Sequence, residues 1–178
     1  MSEAVGPVLR TPRLVLEPIS AGDSEELFET VVGQEGVMRW LATRQAGTRA
    51  DAETMCHNVI AHWSDYGYGQ FSVREAAARE FQGRVGLRHR PEHGTDLGSA
   101  LSPHCHGRGI AREAGTAYLD WAFDRLGLRV TFGFVLSGSA AWIALLRRLG
   151  GTEAGTVVSS GHHCLRFRFS RRGFSRRE

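Results

Sequence analysis

The sequence contains no lysine; all 22 of its basic residues are arginine. With no Gly-Lys-Ser/Thr it cannot carry a P-loop, and no G-x-G-x-x-G supplies a dinucleotide fingerprint. The three cysteines, Cys56, Cys105 and Cys164, are odd in number and far apart. A disulfide framework is therefore not expected, and a reducing cytoplasm is. No CxxC or HExxH pairs the His104-Cys105-His106 and His162-His163-Cys164 groups, and adjacent residues rarely converge on one ion. No metal site is expected. The sequence also lacks a run of eighteen apolar residues and a basic-then-apolar leader at its N-terminus. Neither a membrane association nor an exported fate is indicated.

What is present is ordinary for a folded domain. Hydrophobic residues make up 42% and charged residues 23% of 178 positions, enough for one domain with a full core. No internal repeat or linker divides it. The formal net charge of +3 conceals an asymmetry. Residues 161–178 carry six arginines and one glutamate, while the other 160 positions hold sixteen arginines and eighteen acids. The pI of about 9.1 is thus an effect of the C-terminal end. Such an end fits either a solvated tail or a contact with RNA or an acidic partner. The remainder is net acidic and shows no interleaving of stacking aromatics with basic strand residues, which argues against a nucleic-acid-binding protein.

The most informative stretch is Pro103–Leu126. A strand at 95–101 leads into the polar turn His106-Gly107-Arg108-Gly109, which opens directly into a long helix. Glycines allow several backbone N–H groups to point at one spot, and the helix start adds unpaired N–H groups and a positive dipole end. This pattern reads either as a phosphate cradle at the end of a sheet or, taken alone, as an ordinary glycine turn.

Around it the periodicities give the rest. A first strand is expected over Leu9–Pro18. A helix follows from the Ser20 cap to about Val32, then a short helical turn at Val37–Leu41 bearing Trp40 as a core or cavity-wall residue. Thr48 caps a helix whose Ala52, Met55, Cys56, Val59, Ile60 and Trp63 share one face, with His57 and His62 on the surface. Strands follow at Phe71–Glu75, Phe81–Arg90 and Thr95–Leu101, the last two joined by the Pro91–Gly94 loop. After the cradle helix come a strand at Leu128–Leu136 and a helix at about Ala140–Leu149. A final hairpin, Thr156–Ser159 with His163–Phe169, turns at Ser160-Gly161.

His106-Gly107-Arg108-Gly109-Ile110-Ala111 followed by Arg112-Glu113-Ala114 resembles the pyrophosphate loop of the GCN5-related N-acetyltransferases (GNAT). In their Gln/Arg-x-x-Gly-x-Gly/Ala pattern, His106 stands at the first position, Gly109 at the glycine and Ala111 at the last. Thr11–Leu16, Gly86-Leu87-Arg88 and Leu145–Gly150 resemble the opening strand, third strand and penultimate helix of the RimJ/RimL branch. The resemblance spans roughly residues 9–170 and is carried by four ordered stretches. It implies an α/β (α+β) fold with a mixed, mostly antiparallel sheet of about six to seven strands. That sheet is splayed between strands four and five and flanked by helices. Residues 1–8 are then a disordered N-terminus, 9–170 one GNAT domain and 171–178 a basic tail.

The resemblance also implies acyl transfer from acetyl-CoA to a primary amine, of a small molecule or of a protein N-terminus, without a metal. The pantetheine arm would lie between strands four and five, pairing with Ser99, Ala100 and Leu101. A backbone N–H near Leu101 would polarise the thioester carbonyl. The pyrophosphate would sit on His106, Gly107, Arg108, Gly109, Ile110, Ala111 and Arg112. A base must take the amine proton. His89 on strand three and Glu75 at the end of strand two are the candidates, each of which also reads as a solvent-facing strand residue.

Three positions depart from the family's pattern. Ser139 holds the place of an Asn that commonly bonds near the pantetheine, Trp142 replaces a Ser and could narrow the thioester channel, and Gly151 replaces an aromatic. These departures leave open a donor other than acetyl-CoA: a longer acyl-CoA, a carrier-protein arm or an aminoacyl-tRNA. They also leave open a non-catalytic module that binds CoA or none. Pairing of the terminal hairpin with a second copy, as a homodimer, is likewise open.

Overall fold

The computed structural model describes residues 6–171; the readings for residues 1–5 and for the basic tail at 172–178 lie outside the described residues. The expected first strand is two. β1 (Leu9–Arg10) and β2 (Leu14–Pro18) fold on each other as a tight antiparallel pair, Leu9 opposite Leu16 and Arg10 opposite Val15. The break falls at Thr11-Pro12-Arg13: proline locks φ and has no N–H to offer a ladder. The Thr11 hydroxyl instead accepts from the Leu14 N–H at 2.9 Å and closes the turn.

The segment after β2 is helical but irregular. A 3-10 turn (Ala21–Asp23) leads into α1 (Ser24–Leu27) and a π turn (Phe28–Val32), burying Leu27, Val31 and Val32. The Ser20 N–H donates to Asp23 Oδ2 at 2.7 Å, the expected acidic cap. A short α2 (Glu35–Met38) follows. α3 (Arg49–Tyr66) starts at Thr48, whose N–H donates to Asp51 Oδ2 at 2.7 Å, and ends at Gly67 in a left-handed conformation, φ 71°. Its buried face is Ala52, Cys56, Val59 and Trp63, as the 3.6-residue spacing predicts.

β3 (Gln70–Glu75), β4 (Phe81–Arg90) and β5 (Gly94–Leu101) form an antiparallel meander. A 3-10 turn (Pro103–Cys105) and the glycine loop then lead into α4 (Ile110–Asp124). The crossover returns the chain as β6 (Val130–Leu136), parallel to β5. α5 (Ala140–Arg148) precedes a terminal hairpin of β7 (Thr152–Ser159) and β8 (His162–Ser170). The eight strands make one sheet in the order β1-β2-β3-β4-β5-β6-β8-β7, one strand more than the upper expectation because of the β1/β2 split.

The hairpin turns where expected, with Ser160 and Gly161 both at positive φ (50° and 76°). β7 begins at Thr152, earlier than expected. An aromatic cluster ties helices to sheet: Trp63 of α3 and Trp121 of α4 both meet the Phe71 ring edge-on, at 5.1 and 5.5 Å between centroids. Gly151 has a structural reason. A Cβ there would lie 2.7 Å from the Phe169 ring and 2.9 Å from the Leu146 carbonyl, so Phe169 fills the space an aromatic would otherwise need.

Candidate active site

The glycine loop adopts the conformation its sequence requires. Gly107 and Gly109 sit at φ 72° and 76°, where side-chain-bearing residues are strained, and no atom lies within 4 Å of a Cβ built at Gly107. Gly109 is the N-cap of the fifteen-residue α4, so the helix's free N–H groups begin in the loop. His106, Arg108 and Arg112 are exposed around it, Ala111 is half-buried, and Ile110 points into the core. An open backbone cradle with arginines at its rim fits an anionic diphosphate.

The cradle is braced from the first turn of the chain. Glu113 accepts from the Arg13 N–H at 3.0 Å, from Arg13 Nε at 2.6 Å and from the Thr11 hydroxyl. Arg13 Nη1 also donates to the Arg108 carbonyl at 2.8 Å. Burial works to raise the Glu113 pKa, but the Thr11 and Arg13 hydrogen bonds together hold it below the ordinary value. From below, the buried Cys105 thiol donates to Gln82 Oε1 at 3.0 Å. Burial pushes that thiol's pKa up, which makes it a packing group rather than a nucleophile.

Upstream of the loop the sheet opens. β5 and β6 are paired only at Asp96–Phe132 and Leu97–Gly133. Beyond Leu97 the strands part, while β5 stays paired to β4 through Ser99–Val85, Ala100–Arg84 and Leu101–Gly83. The edge of β5 from Gly98 to Leu101 therefore faces a fork and runs into the loop. A cavity of about 250 Å³ lies in the fork, walled by Ser99, Phe134, Leu136 and Trp142, with Trp40 and Leu41 reaching over from the α2–α3 connection. Trp40 is a cavity-wall residue, 43% exposed. Ser139 stands at the N-cap of α5, makes no side-chain capping bond and does not line this cavity, whereas Trp142 does.

The cavity floor holds charge that inspection of the chain did not single out. Arg84 on β4 is 8% exposed. Its Nη1 donates to Gln70 Oε1 at 3.0 Å, and its Nε has no partner among the described residues. Burial, reinforced by Arg88, pushes its pKa down to about 10, with Asp96 opposing, so it remains a cation at neutral pH. Opposite, Asp96 is buried and accepts from Arg88 Nη2 at 3.3 Å and from Arg90 Nε. Arg90 Nη1 donates to Ser159 Oγ at 2.9 Å, linking this floor to the terminal hairpin. Arg84, Arg88 and Arg90 alternate along β4, a period-two signal that in the sequence equally fits a solvent-facing strand edge.

The two proposed bases lie at opposite ends of the fork. Glu75 closes β3 on the loop side, 3.8 Å from Arg108 Nη2. His89 pairs with Thr95, on the other side of the fork from Leu101, and its ring stacks on Tyr66 at 4.7 Å. It lines a second cavity of about 690 Å³, which shares Met38, Thr43, Met55, Gln70, Arg84 and Arg88 with the first. His62 is not a surface residue as expected. It is half-buried and bridges α3 to β4, with Nδ1 2.7 Å from the Tyr68 carbonyl and Nε2 accepting from the His89 N–H at 2.9 Å. Those partners assign the proton to Nδ1. Burial pushes its pKa down. The α3 stripe misses this role because His62 bonds to backbone beyond its own helix.

Among the described residues no group of three or more His, Cys, Asp or Glu is placed to hold a metal ion, and no helix is long and apolar enough to cross a membrane.

This strand–fork–loop–helix arrangement agrees with what the chain is similar to. Residues 13–152 match the Acetyltransferase (GNAT) domain family. The chain belongs to the GNAT acetyltransferases. An acetyltransferase from Agrobacterium tumefaciens is 26% identical, with 93% of this chain and 95% of that one covered at a TM-score of 0.75. A GNAT-family acetyltransferase from Bacillus anthracis is 15% identical, covering 92% and 98% at 0.79. The ribosomal-protein-S5-alanine acetyltransferase of Vibrio fischeri is 15% identical, covering 94% and 98% at 0.75. The fold is the GNAT fold, and this GNAT is an N-acetyltransferase.

Proposed function

We propose that this GNAT moves an acetyl group from acetyl-CoA to a primary amine of a small molecule or a protein N-terminus. The observation that carries the reading is the continuity of the β5 edge with the glycine cradle: Gly98–Leu101 leave β6 and run straight to Gly107 and Gly109. Acetyl-CoA, when bound, supplies the acyl group as a thioester. The loop's N–H groups with Arg108 and Arg112 hold the diphosphate. The backbone of Ser99, Ala100 and Leu101 aligns the amide arm, and an N–H on this edge, that of Leu101 by the sequence reading, polarises the carbonyl. Trp142 narrows the fork at its α5 wall.

His89 is our choice for the base. It opens onto the larger cavity, whereas Glu75 lies beside Arg108 under the loop. Replacing His89 with Ala should lower kcat by about 100-fold. An unchanged kcat would return the imidazole to a purely structural role.

The donor is tested by calorimetric titration with acetyl-CoA, CoA and a longer acyl-CoA, with Gly109→Glu as control. Micromolar binding lost in the control is the expected result. Failure to bind any CoA species would overturn the donor assignment and favour a carrier-bound acyl group. The V. fischeri neighbour, named for an alanine of ribosomal protein S5, supports including an alanine-initiated peptide among the amines.

A further inference from the structure

The mechanism above leaves one buried cation unused. Arg84 has no carboxylate within ion-pair distance among the described residues; its one side-chain hydrogen-bond partner is the neutral amide of Gln70. Among the described residues its Nε is unpartnered, and so is the buried hydroxyl of Ser72, directly opposite on β3. A guanidinium removed from water normally acquires an anion or a full set of acceptors. Arg84 stands at the wall common to the fork cavity and its larger neighbour. A Cβ built at Gly98, on the fork edge, would lie 4.0 Å from Arg84 Nη1. The cation is therefore beside the place where donor and acceptor must meet.

Resting on the acyl-transfer reading, we propose that the acceptor is a small amine that also bears a carboxylate, and that Arg84, with Arg88 beside it, binds that carboxylate. Arg84, Arg88 and Arg90 carry three positive charges against the single buried Asp96, and Asp96 is already engaged by Arg88 and Arg90. Arg84 is the member of the set with donors left over. Asp51, the acid on the far wall of the larger cavity, is exposed and held by the Thr48 cap. The positive surplus does a second thing. It disfavours the ammonium form of an amine held nearby, so more of the acceptor is present as the neutral nucleophile. A carboxylate anchor offsets the resulting loss of affinity. The alternative use of Arg84, as an electrostatic partner of the reacting carbonyl, would act on every amine equally.

The test compares free amino acids with their carboxamides as acceptors, in the full-length protein and in Arg84→Gln, Arg84→Lys and Arg88→Gln. The expected result is a preference for the acid of about 10- to 100-fold in kcat/KM, expressed in KM and reduced towards unity in Arg84→Gln. Arg84→Lys should retain part of it, because the charge is kept and the fork geometry lost. Equal use of acids and amides by the unmodified protein overturns the proposal. So does a loss in Arg84→Gln that falls on kcat for acids and amides alike. Peptides with an acidic second residue accepted while free amino acids are refused would overturn the small-molecule assignment.

Acetyl-CoA binding and the melting temperature, measured on each variant, identify a folding defect. Should acetyl-CoA bind and no amine be acetylated, the acyl-transfer reading fails. Calorimetry with an N-acetyl amino acid against its amide then still decides whether Arg84 binds a carboxylate.

Discussion

Gly107 and Gly109 offer backbone N–H groups at an exposed rim, whereas Arg84 offers a guanidinium from a buried wall. Both surfaces are suited to negative charge. The loop does it with contiguous residues, bracing from Arg13 and Glu113, and no buried ion; its electrostatics are those of a helix start. The floor does it with side chains from β3, β4 and β5 and pays with desolvation. The loop suits an anion common to all acyl-CoA donors, because every residue can supply a backbone N–H. The floor suits an anion peculiar to one acceptor, because it depends on which side chains the strands carry. On the proposed reading, donor recognition and acceptor selectivity are separated within one fork.

The comparison breaks most severely where the floor has no room. Gly86 lies under Gln70, and a Cβ there would stand 2.4 Å from the Gln70 Cα and 2.5 Å from the Gly69 carbonyl. Both are backbone atoms and cannot rotate aside. Gly86→Val should cost about 3 kcal/mol or more and lower the melting temperature by roughly 10 °C. A smaller drop would show that the β3–β4 pairing is less rigid than its register.

At the loop the effect is on the ligand instead of the fold. Gly109→Glu places a carboxylate and a strained left-handed residue in the cradle. It should weaken CoA binding by about 100-fold or more, with a change in melting temperature of only a few degrees. If Gly109→Glu unfolds the protein while Gly86→Val is tolerated, the contrast between an open rim and a closed floor is wrong.

His62 gives the smallest and most specific effect. It is neutral in the fold, donating from Nδ1 and accepting at Nε2, and its folded pKa is depressed below 6.5, chiefly by burial. Its contribution to stability is fully present above that value and is lost as pH falls through the folded pKa. Melting temperature should decline by a few degrees between about pH 7 and pH 5. His62→Gln, compared over the same range, should remove part of that slope. Parallel slopes in the two proteins would leave His62 without a coupling role between α3 and β4.

Much of this was legible without coordinates. Ser20 and Thr48 mark helix starts because capping is local chemistry, and Ala52, Cys56, Val59 and Trp63 mark a buried face because helical periodicity is local geometry. The glycine loop was legible for the same reason. The β1/β2 split was missed although Pro12 signalled it; the alternation on either side reads as one strand until Leu9 is seen opposite Leu16. His62 was misread because its partners are carbonyl and amide groups outside α3. Gly151 looked like a departure and is a packing requirement imposed by Phe169.

By itself, then, the sequence determined most of the elements, their caps and a glycine loop whose parts lie within seven consecutive residues, His106–Arg112. Only the tertiary structure decided the charged floor of the fork. Whether an arginine on a strand meets water or a buried wall depends on which strand pairs with it and in what register. Gln70 meets Arg84, and Arg88 meets Asp96, through β3–β4–β5 pairing that no local propensity encodes.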